Sequence, residues 1–171
     1  MTRIYVGPTA LYSLGQVGEL ALLESFDGDV VVPDPVIEAV PVEPTATNLS
    51  EFLAGGDVET AVDEGQIERA RTVLGEKDIG AAVTVLAGVL AHRDQSDRSA
   101  VAVVSEDRTV RRTAQGLGAE VTSSFGVVVR AAIEDKYLSS RQAKRIVRRI
   151  DQHGMHLTGE LRERAVGEIA E

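Results

Sequence analysis

The chain has 171 residues, a formal net charge of −9, 43% hydrophobic residues and no cysteine. That length supports one domain with its own core, and the missing cysteines exclude disulfides, thiolate metal sites and thiol nucleophiles. The acidic balance argues against a surface that coats nucleic acid generally, and no apolar run reaches bilayer length, so a soluble, cytoplasmic protein is expected.

Gly7-Pro8 comes too early for the apolar core of a signal peptide. Charge is unevenly spread. Residues 1–100 carry 6 basic and 17 acidic side chains, residues 101–171 carry 12 and 10. An acidic, lysine-poor, Ala/Val/Gly-rich composition is similar to that of proteins from salt-loving organisms.

In chain order, Arg3-Ile4-Tyr5-Val6 reads as a first strand, broken by Gly7-Pro8. Thr9 stands as N-cap of a helix through Leu14, and Val17, Leu20, Leu22 and Leu23 give the apolar face of a second helix ending near Phe26. After the turn at Asp27-Gly28-Asp29, Val30-Val31-Val32 is a buried strand closed by Pro33, and Pro35 opens a short helix to Val40. Pro41 to Thr47 reads as a loop. Helical spacing starts at Asn48 with Leu49, Phe52 and Leu53, pauses at Gly55-Gly56-Asp57, and resumes with Ile67, Ala70, Val73 and Leu74 before a Gly75 C-cap. Ile79 to Leu90 is apolar on most sides, as a helix buried against a sheet would be, and His92 to Ser99 is a polar loop.

The organising stretch is Val101-Ala102-Val103-Val104-Ser105-Glu106-Asp107-Arg108. A short apolar run ends in a hydroxyl and two carboxylates, and helical spacing begins at once. That order predicts a buried parallel strand delivering Ser105, Glu106 and Asp107 to the mouth of a sheet, where ligands of open α/β folds collect. Asp107 suits two roles, a cap for the next helix or a metal or catalytic ligand. Glu106 reads as a solvated or arginine-paired side chain. Beyond Gly116-Leu117-Gly118, Ala119-Glu120-Val121 is a short edge strand and Thr122-Ser123-Ser124 caps a helix from Phe125 to Ile133. Ser139 or Ser140 caps another, with Ala143, Ile146, Val147 and Ile150 inward, and Thr158 caps a last helix with Leu161, Ala165, Val166 and Ile169. Strands alternating with helices give an α/β fold with a mainly parallel sheet.

The series resembles a PIN domain, the metal-dependent nuclease fold of many prokaryotic toxin ribonucleases and RNA-processing enzymes. The residues that carry the likeness are Ile4 to Leu11, Val32-Pro33-Asp34-Pro35-Val36-Ile37-Glu38, and Ser105-Glu106-Asp107-Arg108 with Arg111, Ala114, Leu117-Gly118 and Ser123 to Val127. Gly154-Met155-His156-Leu157-Thr158 and Leu161 are similar to a small prokaryotic branch with extra C-terminal helices. The resemblance implies a three-layer α/β/α sandwich, with residues 1–134 as core and 135–171 as a helical extension packed on it. It also implies carboxylates holding Mg²⁺ or Mn²⁺, which orient a water and neutralise the phosphodiester. A homodimer or an antitoxin-like partner is a further expectation from the family.

The family's acidic positions depart from pattern here. The first falls at Gly7, the second at Ala39 with Glu38 one residue early, which on a helix points about 100° away. The third falls at Gly80, with Asp78 two residues off. Asp107 remains, with Glu106 beside it, and one ligand makes no divalent-metal site. The expectation is therefore a protein with a vestigial metal site and no cofactor, which binds RNA or a protein partner. The alternative is an active Mg²⁺/Mn²⁺ ribonuclease in which Asp107 ligates metal, Glu38 ligates it or positions water, Glu106 assists and Ser105 bonds the ligand or its water. Thr9 supports the site in either case. Arg141, Lys144, Arg145 and Arg148, spaced by three and four, form an exposed basic flank that could contact RNA or simply be solvated. His92, His153 and His156 lack metal-ligand spacing, and Ser105, Ser123 and Ser124 lack the partners of a serine nucleophile.

Overall fold

The computed structural model describes residues 2–93, 100–134 and 138–152. Five parallel strands form one sheet: β1 (Thr2–Val6), β2 (Gly28–Val31), β3 (Val58–Glu59), β4 (Val101–Val104) and β5 (Glu120–Thr122), in the order β3-β2-β1-β4-β5. Register pairs Tyr5 with Val31 on one side and with Val103 on the other, and Val103 with Val121. The chain builds outward from β1 to β3, then crosses back to place β4 on the other side of β1. The reversal between β1 and β4 is the topological switch point, and its crevice opens at the C-terminal ends of those strands.

Helices cover both faces. Helices α1 (Pro8–Gln16), α3 (Thr45–Ala54), α7 (Ser124–Ile133) and α8 (Ser140–Gln152) pack against one another or through the 3₁₀ helix Leu20–Ser25. On the other face, α5 (Ala81–Arg93) packs with α2 (Asp34–Glu38), α4 (Ile67–Leu74) and α6 (Arg108–Gly116). This is the expected α/β/α sandwich. Covered on both sides, β4 buries all four residues, which is why it is written in continuous apolar residues without alternation. α5 buries every residue from Val83 to Leu90, so its apolar character runs around the helix. α5 approaches the sheet closely at Gly88, where an added Cβ would stand 2.2 Å from the ring of fully buried Tyr5. Among the described residues no helix is long and apolar enough to cross a membrane.

Several local expectations are corrected. α1 begins at Pro8, with Gly7 as N-cap and no side-chain cap, because a proline at the first helical position has no N–H needing a partner. Thr9 instead offers its backbone carbonyl to the Ser13 hydroxyl at 3.0 Å. The Leu20–Ser25 segment is 3₁₀ rather than α. α3 starts at Thr45, inside the expected loop, where buried Thr45 donates its hydroxyl to the Tyr12 carbonyl at 3.2 Å. β3 was not expected. Its N-terminal neighbour β2 gives it a partner, and Val32 extends the ladder by donating to the Glu59 carbonyl at 2.8 Å. Ile79 lies outside α5 and is 54% exposed, and His92 belongs to α5 and is buried.

Gly75 ends α4 in the left-handed conformation at φ 70°. Ser123 and Ser139 each accept from the backbone N–H three residues on, and Gln142 returns the bond to the Ser139 N–H at 2.9 Å, a reciprocal capping box. Ala143, Ile146, Val147 and Ile150 bury α8 into the common core. His153, His156 and the last helix expected from Thr158 lie outside the described residues.

Candidate functional site

At the switch point the first residues beyond β1 and β4 are Gly7 and Ser105. The Gly7 N–H donates to the Val104 carbonyl at 2.9 Å and the Ser105 N–H to the Thr122 carbonyl at 2.9 Å, so the ladder carries the backbone to the edge of the crevice. A Cβ at Gly7 would come within 3.3 Å of Ser105 Oγ, so the missing side chain lets Ser105 close against the β1 backbone. The remaining crevice is small, about 50 Å³, and is lined by Gly7, Pro8, Thr9, Ala82, Val85, Ser105, Asp107 and Val110. Among the described residues, Asp107 is its only charged lining residue.

Each carboxylate of the expected set has a different setting. Asp107, exposed, caps α6: one carboxylate oxygen accepts from the Val110 N–H at 3.0 Å. Buried Ser105 accepts from the Asp107 N–H at 3.0 Å and so fixes the turn that aims Asp107 at the helix. Glu106 is half-buried, and among the described residues it pairs with no arginine. Its Oε1 accepts from the Ser124 N–H at 2.6 Å, tying the β4–α6 turn to the first turn of α7, whose unpaired N–H groups attract negative charge. Its Oε2 is buried with no hydrogen-bond partner, as is the Ser124 hydroxyl. Glu38 ends the five-residue α2 and is exposed. Ala39 caps that helix, and Gly80 and Asp78 precede α5 in exposed chain.

A divalent ion needs several oxygen donors brought together. Among the described residues, the positions expected to supply them do not fit one. Gly7, Ala39 and Gly80 offer no side-chain donor, Asp107 Oδ1 is taken by a helix N–H, and Glu106 turns to α7. Among the described residues no group of three or more His, Asp or Glu side chains is placed to hold a metal.

Across Pro8 and Thr9 from the crevice lies a second hollow, of about 310 Å³, walled by Tyr12, Ala39, Val40, Pro41 and Val42. Part of its wall is the start of the Pro41 to Thr47 stretch, which the sequence pattern marks only as a loop. The signal was there in Pro41-Val42, apolar residues in a connection that buries neither: both are exposed.

The basic flank is separate from these features. Arg141, Arg145 and Arg148 are exposed, Lys144 is half-buried, and among the described residues none of the four joins an ion pair. They lie opposite the buried stripe of α8, on the face of the sheet that carries α1 and α7, whereas Asp107 opens α6 on the other face. Arg149, the fifth cation, is exposed and acts on Glu19: burial pushes the Glu19 carboxyl up, and the Arg149 charge pulls it back part of the way. Tyr5 is perturbed too. Burial pushes its hydroxyl well above the usual range, aided by Asp63, whose carboxylate accepts that hydroxyl at 3.2 Å. Arg3 pairs with Glu59 across the same edge, so this cluster ties β1 to the β3 side of the sheet.

A family model described as PIN domain matches residues 6–171. No curated protein and no solved structure matches the chain.

Proposed function

Because the chain belongs to the PIN-domain family, we propose that it keeps the family's fold and acts by holding an RNA or a protein partner without cutting it. The observation that carries this reading is the donor count at the switch point. Among the described residues one carboxylate lines the crevice, and it already satisfies a helix N–H. Metal-assisted phosphodiester cleavage needs a cation held firmly enough to orient water and offset phosphate charge, and a lone aspartate does not hold one. For RNA, the contact is the α8 flank of Arg141, Lys144, Arg145 and Arg148, whose cations, in no ion pair among the described residues, suit a phosphate backbone.

The competing reading is the family's own chemistry, a Mg²⁺/Mn²⁺-dependent ribonuclease, and the retention of Asp107 at the strand end favours it. Incubation with single-stranded RNA and Mn²⁺ separates the two. The proposal expects intact RNA. Metal-dependent cleavage abolished by Asp107→Asn would establish the enzyme instead. The homodimer and the antitoxin-like partner stay with the proposal as family expectations, and light scattering of the purified chain tests the first.

A further inference from the structure

A hollow of about 450 Å³ opens at the other end of the sheet from Asp107, between the first residues of the strands and α7. Thr2 of β1 and Ala102 of β4 line its sheet side, and Val129, Arg130, Ile133 and Glu134 line its helix side. Glu120 opens into it from β5. Thr122 packs on α7, since a Cβ at Gly126 would stand 1.9 Å from its Oγ1, and Glu120, two positions earlier on the same strand, shares that face. Asp27, the residue before β2, lines the hollow beside Phe26. In the order β2-β1-β4-β5 the starts of β2 and β5 stand three strand spacings apart, about 14 Å.

Arg130 is engaged within the wall. Its guanidinium lies 4.6 Å over the Phe26 ring and its Nε is 3.4 Å from Glu134 Oε2, so this pair cancels its own charge. Asp27 and Glu120 are exposed and join no ion pair among the described residues. The lining therefore keeps two negative charges, held apart by apolar surface from Phe26, Val129 and Ile133, the last 47% exposed. A metal ion needs its oxygen donors drawn together, and among the described residues no three acidic side chains are so placed. An anion would meet the excess of carboxylates. An extended aliphatic chain with an ammonium group at each end satisfies both carboxylates and lays its methylenes on the apolar wall, as a lysine stem lies on apolar surface. We infer that this hollow binds a linear polyamine, with its terminal ammonium groups at Asp27 and Glu120. The site is separate from the Asp107 crevice and stands whether that crevice binds RNA or cuts it.

Calorimetric titration of the 171-residue chain with spermidine should give a one-to-one isotherm. 1,3-Diaminopropane, too short to reach both carboxylates, and Mg²⁺, a charge without methylenes, should each bind about tenfold more weakly, the scale of one charge pair and its apolar contact together. Asp27→Asn and Glu120→Gln should each weaken spermidine about two- to fivefold, as the loss of one exposed charge pair does. Ile133→Ser keeps every charge and should weaken it as well. Glu51→Gln, at an exposed position of α3 outside the hollow, should leave the affinity unchanged. The inference is overturned by the absence of an isotherm, by several equivalent weak sites, or by equal affinity for the short diamine or Mg²⁺. A loss in Glu51→Gln as large as that in Glu120→Gln overturns it too, since spermidine would then report only the net charge of −9. Tetralysine that binds more tightly than spermidine, and loses affinity in Glu120→Gln, would assign the hollow to the lysines of a protein instead.

Discussion

Asp107 is where the two readings of this protein diverge in measurable energy. As an N-cap accepting the Val110 N–H at 3.0 Å, it satisfies a donor that α6 cannot satisfy itself. Asp107→Ala removes the acceptor and should cost about 1 kcal/mol, within the roughly 0.5–2 kcal/mol range for such caps. For a chain of this size that is a fall of roughly 2–4 °C in Tm. Asp107→Asn keeps an oxygen in the same place, and asparagine caps about as well as aspartate, so it should lose only the charge–dipole part, roughly 0.3–1 kcal/mol. A metal ligand behaves otherwise. Mn²⁺ at a hundred times its dissociation constant would stabilise the unaltered chain by about 2.7 kcal/mol, or roughly 5–11 °C, and both substitutions would abolish that gain alike. Thermal melts of the three proteins, each with and without Mn²⁺, distinguish the cases. Ala worse than Asn, with no metal effect in any of them, is the expected pattern. A metal-induced rise in the unaltered chain that vanishes in Asp107→Asn refutes the cap as the residue's whole role.

Other consequences follow from the packing and the charges. Gly88→Ala places a methyl 2.2 Å from the buried Tyr5 ring, and overpacking of this kind should cost about 1–3 kcal/mol, read as a lowered denaturant midpoint with unchanged m-value. Replacing Arg145 and Arg148 by serine should weaken single-stranded RNA binding and flatten its salt dependence by about 1.4 in log–log slope, two phosphate contacts' worth; an unchanged slope would remove α8 from the RNA contact. Glu19 has a folded pKa raised by burial, so its contribution is favourable below its ordinary value of 4.5 and is lost as pH rises through the higher folded value. Glu19→Gln should therefore raise Tm at neutral pH by more than it does at pH 4, and a larger gain at pH 4 would show that the Arg149 attraction dominates.

The sheet was largely legible because its strands are short apolar runs at predictable punctuation: Ile4-Tyr5-Val6 before Gly7-Pro8, Val30-Val31 before Pro33, and Val101 to Val104 before three polar residues. The Ser123 and Ser139 caps were legible for the same local reason. β3 was not, since Val58–Glu59 is too short to show a period and exists because β2 has a free edge. The early start of α3 depends on Thr45 finding the Tyr12 carbonyl thirty-three positions away, which no local pattern encodes. The same limit applies at the candidate site. That Asp107 would cap its helix could be read from spacing, whereas the bond from Glu106 to the Ser124 N–H joins residues eighteen apart and depends on the fold bringing two strand ends side by side. The apolar hollow at Val42 was hidden because its walls come from α1 and from the chain after α2, neither of which closes it alone.

The most direct measurement of the central claim is a calorimetric titration of the 171-residue chain with Mn²⁺ at physiological salt. The account predicts no saturable heat. A one-to-one isotherm that disappears in Asp107→Asn would mean that oxygen donors converge at the switch point after all, and it would contradict the account.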